Sequence, residues 1–329
     1  MNVPPAFIAW IFSYLTHRPQ YVRLPSTSQS PSSTKAFTSS AAFSKSSSSF
    51  VVSDTLFTNA GAPQGTVLSP FLFTLYTADG RQKHDSCPIV KFADDNSQIG
   101  KISNNDDSIY RQEVKDFVDW CENNFLHLNV SKTKEMIVDF KCSKTDSPLP
   151  VSINGVEVER VDAHRYLGVT FDSKLTFQEN CNEIMKKIQP RMYCLCKLKS
   201  FNVNSDILQT FYSCAVDSVL RYGAVCWGGN IASNDRGRLD KIIKKAGGVI
   251  GRQQETFDAM YHRRLTDKTN NILNDPTHPL WKEFDERRNE RSGRLRLPTT
   301  RTQRYKNSFL PRAISNVNKN HSREHRLKS

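Results

Sequence analysis

Residues 61–76 read GAPQGTVLSPFLFTLY and residues 88–102 read PIVKFADDNSQIGKI. The first stretch opens on glycine and proline and closes on an apolar run, which predicts a loop leading into a buried helix. In the second, Ile89 to Ala93 and Ile99 to Ile102 flank an acidic turn, which predicts a β-hairpin with Asp94 and Asp95 at its tip. Two carboxylates so placed suit Mg2+, which prefers hard oxygen ligands and takes one or two carboxylates while keeping positions for phosphate oxygens. Alone, an Asp-Asp pair is weak evidence, and a solvated turn is the plainer explanation.

Outward from this hairpin the chain is legible in both directions. Pro4 to Thr16 places Ile8, Ile11 and Leu15 on one face, which predicts a packed helix; it is too short to span a bilayer and lacks a basic n-region and cleavage site. Serine dominates residues 25–50, a composition that buries too little to offset its ordering entropy, so a disordered insertion is expected there. Asp107 or Ser108 is placed to cap a helix on which Tyr110, Val114, Phe117, Val118, Cys121 and Phe125 recur at helical spacing. A strand at Glu135 to Phe140 and a short hairpin around Asn154-Gly155, spanning Val151 to Val158, are expected next.

From Gln178 the pattern turns helical, through Ile184, Ile188, Met192 and Leu195 and again through Leu208, Phe211, Tyr212, Ala215, Val219 and Leu220. Beyond about Leu265 the periodicity fades into a polar, basic tail. Strands followed by helices define an α+β fold.

Net charge is +13, and residues 281–329 hold 14 Lys+Arg against 5 Asp+Glu, so this segment carries +9 of it. Such a tail suits RNA or DNA without sequence preference, because phosphate neutralisation releases counterions; a solvated tail with no partner fits it as well. At Tyr261-His262-Arg263-Arg264 and Arg304-Tyr305-Lys306 aromatic and basic residues interleave, where stacking and phosphate contact could coexist. The eight cysteines lack CxxC pairs and zinc spacing, which points to a reduced, intracellular protein of nucleus or cytoplasm; Cys194 and Cys196, two apart on a helix, face different ways.

Phe92-Ala93-Asp94-Asp95, preceded by Gly61-Ala62-Pro63-Gln64-Gly65 and Leu68-Ser69-Pro70, resembles the [YF]-A-D-D box and G-x-P-Q-G…L-S-P segment of reverse transcriptases. Leu128-Asn129 with Lys132-Thr133 resembles the motif after the catalytic hairpin, and Tyr166-Leu167-Gly168-Val169 the primer-grip region. Four ordered matches over about 110 residues are hard to obtain by chance. Trp10-Ile11, Tyr14-Leu15 and Arg18 to Val22 look like the palm helix of non-LTR, LINE-type elements, and Arg304 to Phe309 with Pro311 resembles the tail of vertebrate LINE proteins.

The resemblance implies a partial palm of antiparallel sheet with helices (51–175), after a palm helix fragment (1–24) and the serine-rich insertion (25–50). A thumb-like helical region (176–265) and a basic, partly disordered tail (266–329) would follow. It further implies that Asp94 and Asp95 are Mg2+ ligands and that Pro63, Gln64, Gly65 and Ser69 approach template and nucleotide. Tyr166, Leu167 and Gly168 would contact nucleic acid. Lys132 would neutralise or protonate pyrophosphate, or be a surface lysine after a turn.

One element of the pattern fails. The polymerase needs a further aspartate upstream of the PQG segment and its preceding helix, and the only acid in residues 1–60 is Asp54, too late in the order to serve. A chain truncated before that first aspartate, without fingers, is expected to be inactive, with the edge of the Asp94 strand left unpaired.

A rival enzyme reading rests on Arg111 to Phe140, which is similar to an N-terminal region of the AlkB-homologue-8 family. The chemistry opposes it. None of the eight histidines is followed two residues later by Asp, as a 2-oxoglutarate dioxygenase requires, and no G-x-G occurs to serve a methyltransferase. A third reading is a non-enzymatic relic that binds nucleic acid.

Overall fold

The computed structural model describes residues 4–25, 50–59, 61–139 and 148–328; the serine-rich stretch therefore lies, save its ends, outside the described residues. The chain forms two compact units, Met1–Leu128 and Asn129–Ser329.

The first unit opens with helix α1 (Pro5–Leu15). Two short strand pairs follow: β1 (Arg18–Gln20) with β4 (Leu56–Thr58), and β2 (Arg23–Pro25) with β3 (Phe50–Val52). Then come α2 (Leu68–Tyr76), the hairpin β5 (Ile89–Phe92) and β6 (Asp95–Gln98), and α3 (Ser108–Asn123).

The second unit begins with β7 (Lys134–Glu135), β8 (Ser152–Ile153), β9 (Val156–Glu157), β10 (Glu159–Arg160), β11 (Ala163–Tyr166) and β12 (Val169–Asp172). Helices then take over: α4 (Gln178–Ser200), α5 (Ser205–Phe211), a π-helical turn at Tyr212–Asp217, α6 (Ser218–Arg221) and α7 (Ala224–Trp227). The chain continues through α8 (Ser233–Ile250), α9 (Phe257–Leu273), α10 (Trp281–Asp285), α11 (Gln303–Lys306) and α12 (Phe309–Lys328).

The fold is α+β, and its strands associate only in pairs among the described residues. All pairs are antiparallel except β7 with β10. A two-stranded pair is marginal alone, so helix packing must supply most of the stability. The hairpins are set by left-handed residues: Asn154 (φ 52°) and Gly155 (φ 76°) join β8 to β9, and Leu167 (φ 45°) and Gly168 (φ 84°) join β11 to β12, the conformations that two-residue hairpin loops require.

In the first unit α3 is the organiser. Its buried face carries Glu113, Val114, Val118 and Cys121, and both oxygens of Glu113 accept from the Lys83 backbone N–H at 3.1 Å. The capping differs from the sequence expectation: Asp107 occupies the N-cap position without a side-chain cap bond, and the Asp106 carboxylate accepts from Ser108 N at 3.0 Å. The Ser108 hydroxyl first, and its backbone N–H second, hold the Asp106 carboxyl below its usual pKa. Phe125, expected on the apolar face, is exposed, because the helix ends at Asn123 and Phe125 turns left-handed (φ 54°).

Helix α1 forms where expected but buries no residue. Ile11, Tyr14 and Leu15 are half-buried while Phe7, Ile8, Trp10 and Phe12 are exposed. A helix apolar on all sides can satisfy only one of them against a single neighbour.

In the second unit the expected strand at 135–140 shrinks to β7. Only Lys134 and Glu135 find a partner strand, fastened by Lys134–Glu159 (2.5 Å) and Glu135–Arg160 (2.8 Å) ion pairs; Phe140 lies outside the described residues.

The core of this unit is helical. α4 contributes Cys181, Ile184, Ile188, Met192 and Leu195, as its spacing predicts. The next helix buries Leu208, Tyr212, Val216 and Leu220, each four residues apart. The π-helical turn absorbs an extra residue and shifts the phase, so Val216 is buried in place of the expected Ala215, while Leu220 is buried as expected and Val219 packs partly buried against the core.

Helix α8 adds Leu239, Ile243, Ala246 and Ile250, and α9 adds Phe257, Met260, Tyr261, Leu265 and Ile272. The core does not stop near Leu265. Phe284, Leu295, Ala313 and Ile314 belong to the same cluster, so chain expected to be a solvated tail is folded at least as far as α12. Its few apolar residues are sparse in sequence and converge only in three dimensions.

Candidate active site

Hydroxyl groups close the turn formed by residues 63–69. Ser69 Oγ donates to Pro63 O at 2.5 Å and lies 2.6 Å from Thr66 Oγ1, which is 2.7 Å from Tyr14 Oη on α1. Arg18 donates to Gly61 O at 2.7 Å from the other side. Gly65 takes φ 77°, and Gln64 and Gly65 stand exposed at the outer edge. Ser69 is thus engaged in holding the turn, while Gln64 and Gly65 face outward. Sequence reading missed Thr66 and gave Tyr14 and Arg18 no role; their signal was the Tyr-Leu…Arg-Pro-Gln segment preceding the loop.

In the catalytic-type hairpin Phe92 pairs with Asp95, so Ala93 and Asp94 form the turn and Asp95 opens β6. The second strand is Asp95–Gln98, closer to the tip than the expected Ile99 to Ile102, because a two-residue turn brings the polar run Asp-Asn-Ser-Gln opposite β5. Ala93 adopts φ 53°, a left-handed conformation that costs a Cβ-bearing residue about 1–2 kcal/mol. The strained alanine sets both aspartates at the exposed end of the hairpin, where neither enters an ion pair among the described residues.

Two exposed carboxylates fit a divalent cation that retains several waters and phosphate oxygens. Among the described residues no cluster of three or more His, Cys, Asp or Glu forms a complete metal cage. The outer edge of β5 is unpaired among the described residues, and Val90 and Phe92 are exposed there.

Lys132, Tyr166, Leu167 and Gly168 belong to the second unit, and Asp94 and Asp95 to the first. Asn129 organises the Lys132 loop: its Oδ1 accepts from Ser131 Oγ at 2.7 Å and from Lys132 N at 3.2 Å, leaving the Lys132 side chain exposed.

The Leu167-Gly168 turn is fastened by Tyr222, whose hydroxyl donates to Leu167 O at 2.5 Å. A Cβ on residue 168 would come 3.0 Å from the Tyr222 ring, so glycine serves both the backbone and the contact. Tyr222 was not foreseen, since nothing in the sequence couples it to a turn 55 residues away. Tyr222→Phe should destabilise the second unit by about 0.5–1.5 kcal/mol and speed amide exchange at Gly168 and Val169. Unchanged exchange there would show that the bond does not hold the turn.

Of the two aromatic-basic clusters, Tyr261 is wholly buried and unavailable for base stacking, because it falls on the core face of α9, and Arg263 is spent on Glu255 (2.7 Å). Tyr305 remains partly exposed. No helix among the described residues is long and apolar enough to cross a membrane.

Residues 22–171 match the family of reverse transcriptases (RNA-dependent DNA polymerases). The segment holding the PQG turn, the Asp94-Asp95 hairpin and the Tyr166–Gly168 turn is therefore a reverse transcriptase domain. Within that family the likeness is to the RNA-directed DNA polymerases of transposons and mobile elements.

Relatives include the probable RNA-directed DNA polymerase from transposon X-element of Drosophila melanogaster, 29% identical over 180 residues, covering 51% of this chain and 19% of the relative. That from transposon BS of the same species is 27% identical over 188 residues, covering 53% and 20%. The RNA-directed DNA polymerase from mobile element jockey of Drosophila funebris is 28% identical over 201 residues, covering 56% and 21%. The chain thus spans about a fifth of the length of these relatives. No solved structure matches.

Residues 178–218 match a second family, the N-terminal region of alkylated DNA repair protein alkB homolog 8. This likeness falls on α4 through the start of α6, not on Arg111 to Phe140 where the sequence reading placed it. The segment from Arg111 holds most of α3 and then a loop and β7, whereas the matched segment is helical almost throughout.

Proposed function

We propose that this chain is the palm-to-thumb section of a retrotransposon RNA-directed DNA polymerase, and that by itself the 329-residue polypeptide binds RNA and DNA without extending a primer. The observation that carries this reading is the hairpin that presents Asp94 and Asp95 at an exposed tip, with no third His, Cys, Asp or Glu grouped with them among the described residues. Mg2+ held there would stabilise the attacking 3′ hydroxyl and the leaving pyrophosphate. Gln64 and Gly65 would approach template and nucleotide, Tyr166 to Gly168 would bear on the primer, and Lys132 would neutralise pyrophosphate.

Inactivity of the chain alone is supported by its acids, since Asp54 alone precedes the PQG segment. Loss of one ligand of a two-metal site costs several kcal/mol, or about a thousand-fold in rate. The basic residues beyond 280 support nucleic-acid binding of low sequence preference, and the free cysteines support a nuclear or cytoplasmic place.

The test is Mg2+-dependent primer extension on an RNA template by the purified chain, with Asp94→Ala alongside. Neither protein should extend the primer, although both bind template and primer in a salt-sensitive way. Extension by the parent chain that disappears in Asp94→Ala would overturn the inactivity and show that another carboxylate completes the site.

A further inference from the structure

Where α8, α9 and α12 meet, the second unit gathers cationic groups more densely than its acids can neutralise. Arg236 on α8 is mostly buried; it pairs with Asp258, donates to Gly228 O at 2.9 Å and lies 5.7 Å from the Phe257 ring. Arg312 on α12 is half-buried, with its guanidinium 5.6 Å from the centre of the Tyr261 ring. It donates to an amide oxygen, Asn307 Oδ1, at 3.4 Å, and among the described residues it has no carboxylate within ion-pair distance. His262 packs edge-on against Tyr261 at 5.5 Å and is exposed, as is Lys319 on α12.

The acids nearby are already engaged: Asp258 with Arg236, and Asp240 with the Phe257 backbone N–H at 2.8 Å. The crowding is felt electrostatically. Burial lowers the pKa of Arg236, with Arg312 adding to the effect, and burial followed by Arg312, Lys319 and Arg236 lowers that of His262. Beneath the cluster the Tyr261 hydroxyl is sealed from solvent without a well-formed hydrogen bond. A half-buried guanidinium without a counter-charge is costly. That cost is recovered when a ligand brings the charge, and arginine's planar fork matches a phosphate better than any other side chain does.

We propose that this junction is a phosphate-binding site, in which Arg312 and Arg236 form the floor and His262 and Lys319 the rim for one phosphate group of a nucleic-acid backbone. The proposal deepens the nucleic-acid reading by assigning one contact to the helical unit itself, separate from the Asp94 hairpin and from the chain's last residues.

The test is the salt dependence of binding of a single-stranded oligonucleotide to the full chain. Arg312→Gln should reduce the slope of log affinity against log salt by about one, and Arg312→Lys, which keeps the charge, should restore most of it. Arg263→Gln, whose guanidinium is already committed to Glu255, should leave the slope unchanged. An unchanged slope in Arg312→Gln, or an equal fall in Arg263→Gln, would overturn the site.

Inorganic phosphate supplies a second arm at constant ionic strength. Phosphate should raise the melting temperature of the parent chain and not that of Arg312→Gln, since a ligand bound only by the native state stabilises it. If phosphate does so while no oligonucleotide binds, the site stands for free phosphate and the nucleic-acid reading falls. If oligonucleotide binds and neither arm responds to Arg312, the nucleic-acid reading stands and the site falls.

Discussion

Replacing Trp227 by alanine should destabilise the second unit by about 3–5 kcal/mol. Trp227 is fully buried and stacks on Phe257 at 5.3 Å, joining α7 to the start of α9. Its Nε1 donates to Tyr222 O at 2.9 Å, so the substitution opens a cavity and also orphans a carbonyl. Tyr222 in turn holds Leu167 O, so the loss should spread to the Tyr166–Gly168 turn. In denaturant titration followed by helical circular dichroism, the midpoint should fall while the slope holds. Tyr193→Ala, at an exposed position of α4, should stay within about 0.5 kcal/mol of the parent. Equal effects of the two substitutions would mean that the helical core is not cooperatively packed.

The contrast between these positions indicates where sequence suffices. Apolar spacing on α4 determines which face is buried, and Ile184, Ile188, Met192 and Leu195 are all buried. The same rule slips by one residue after Tyr212, because a π-helical turn is decided by how neighbouring helices pack. The Asp94 hairpin was legible because two apolar strand segments bracketed a polar turn, yet its register was not. A turn placing alanine at φ 53° is contrary to that residue's preference and is imposed by the surrounding chain.

At the PQG turn, Ser69 was assigned to nucleic acid through its motif, whereas its hydroxyl bonds to Pro63 and Thr66. Only the folded loop reveals that commitment. Tyr261 shows the converse: a basic neighbourhood in sequence suggested a stacking surface, and helical phase turned the ring into the core while leaving His262 outside.

Gly229→Ala tests whether the chain beyond Leu265 is an integral part of the fold. A Cβ at residue 229 would fall within the van der Waals shell of the Asn307 carbonyl oxygen and 2.9 Å from the Tyr261 hydroxyl. Asn307 stands just ahead of α12, whose Ala313 and Ile314 are fully buried. Asn316 Nδ2 donates to Thr266 Oγ1 at 2.6 Å, and Asn318 brackets Leu295, accepting from its N at 3.0 Å and donating to its O at 2.8 Å. The added methyl group cannot be absorbed by a flexible side chain, since the nearest obstacle is backbone; either α12 undocks or the 228–230 turn shifts. The expected cost is about 1–3 kcal/mol, with faster proteolysis ahead of α12. Gly237→Ala supplies the control. It lies within α8 with open space around it, so alanine should be neutral or stabilise by about 0.5–1 kcal/mol. A solvated tail would make the two variants indistinguishable in stability. Destabilisation confined to Gly229→Ala would show that the residues after 265 complete the helical core and hold Arg312 in place beside Tyr261.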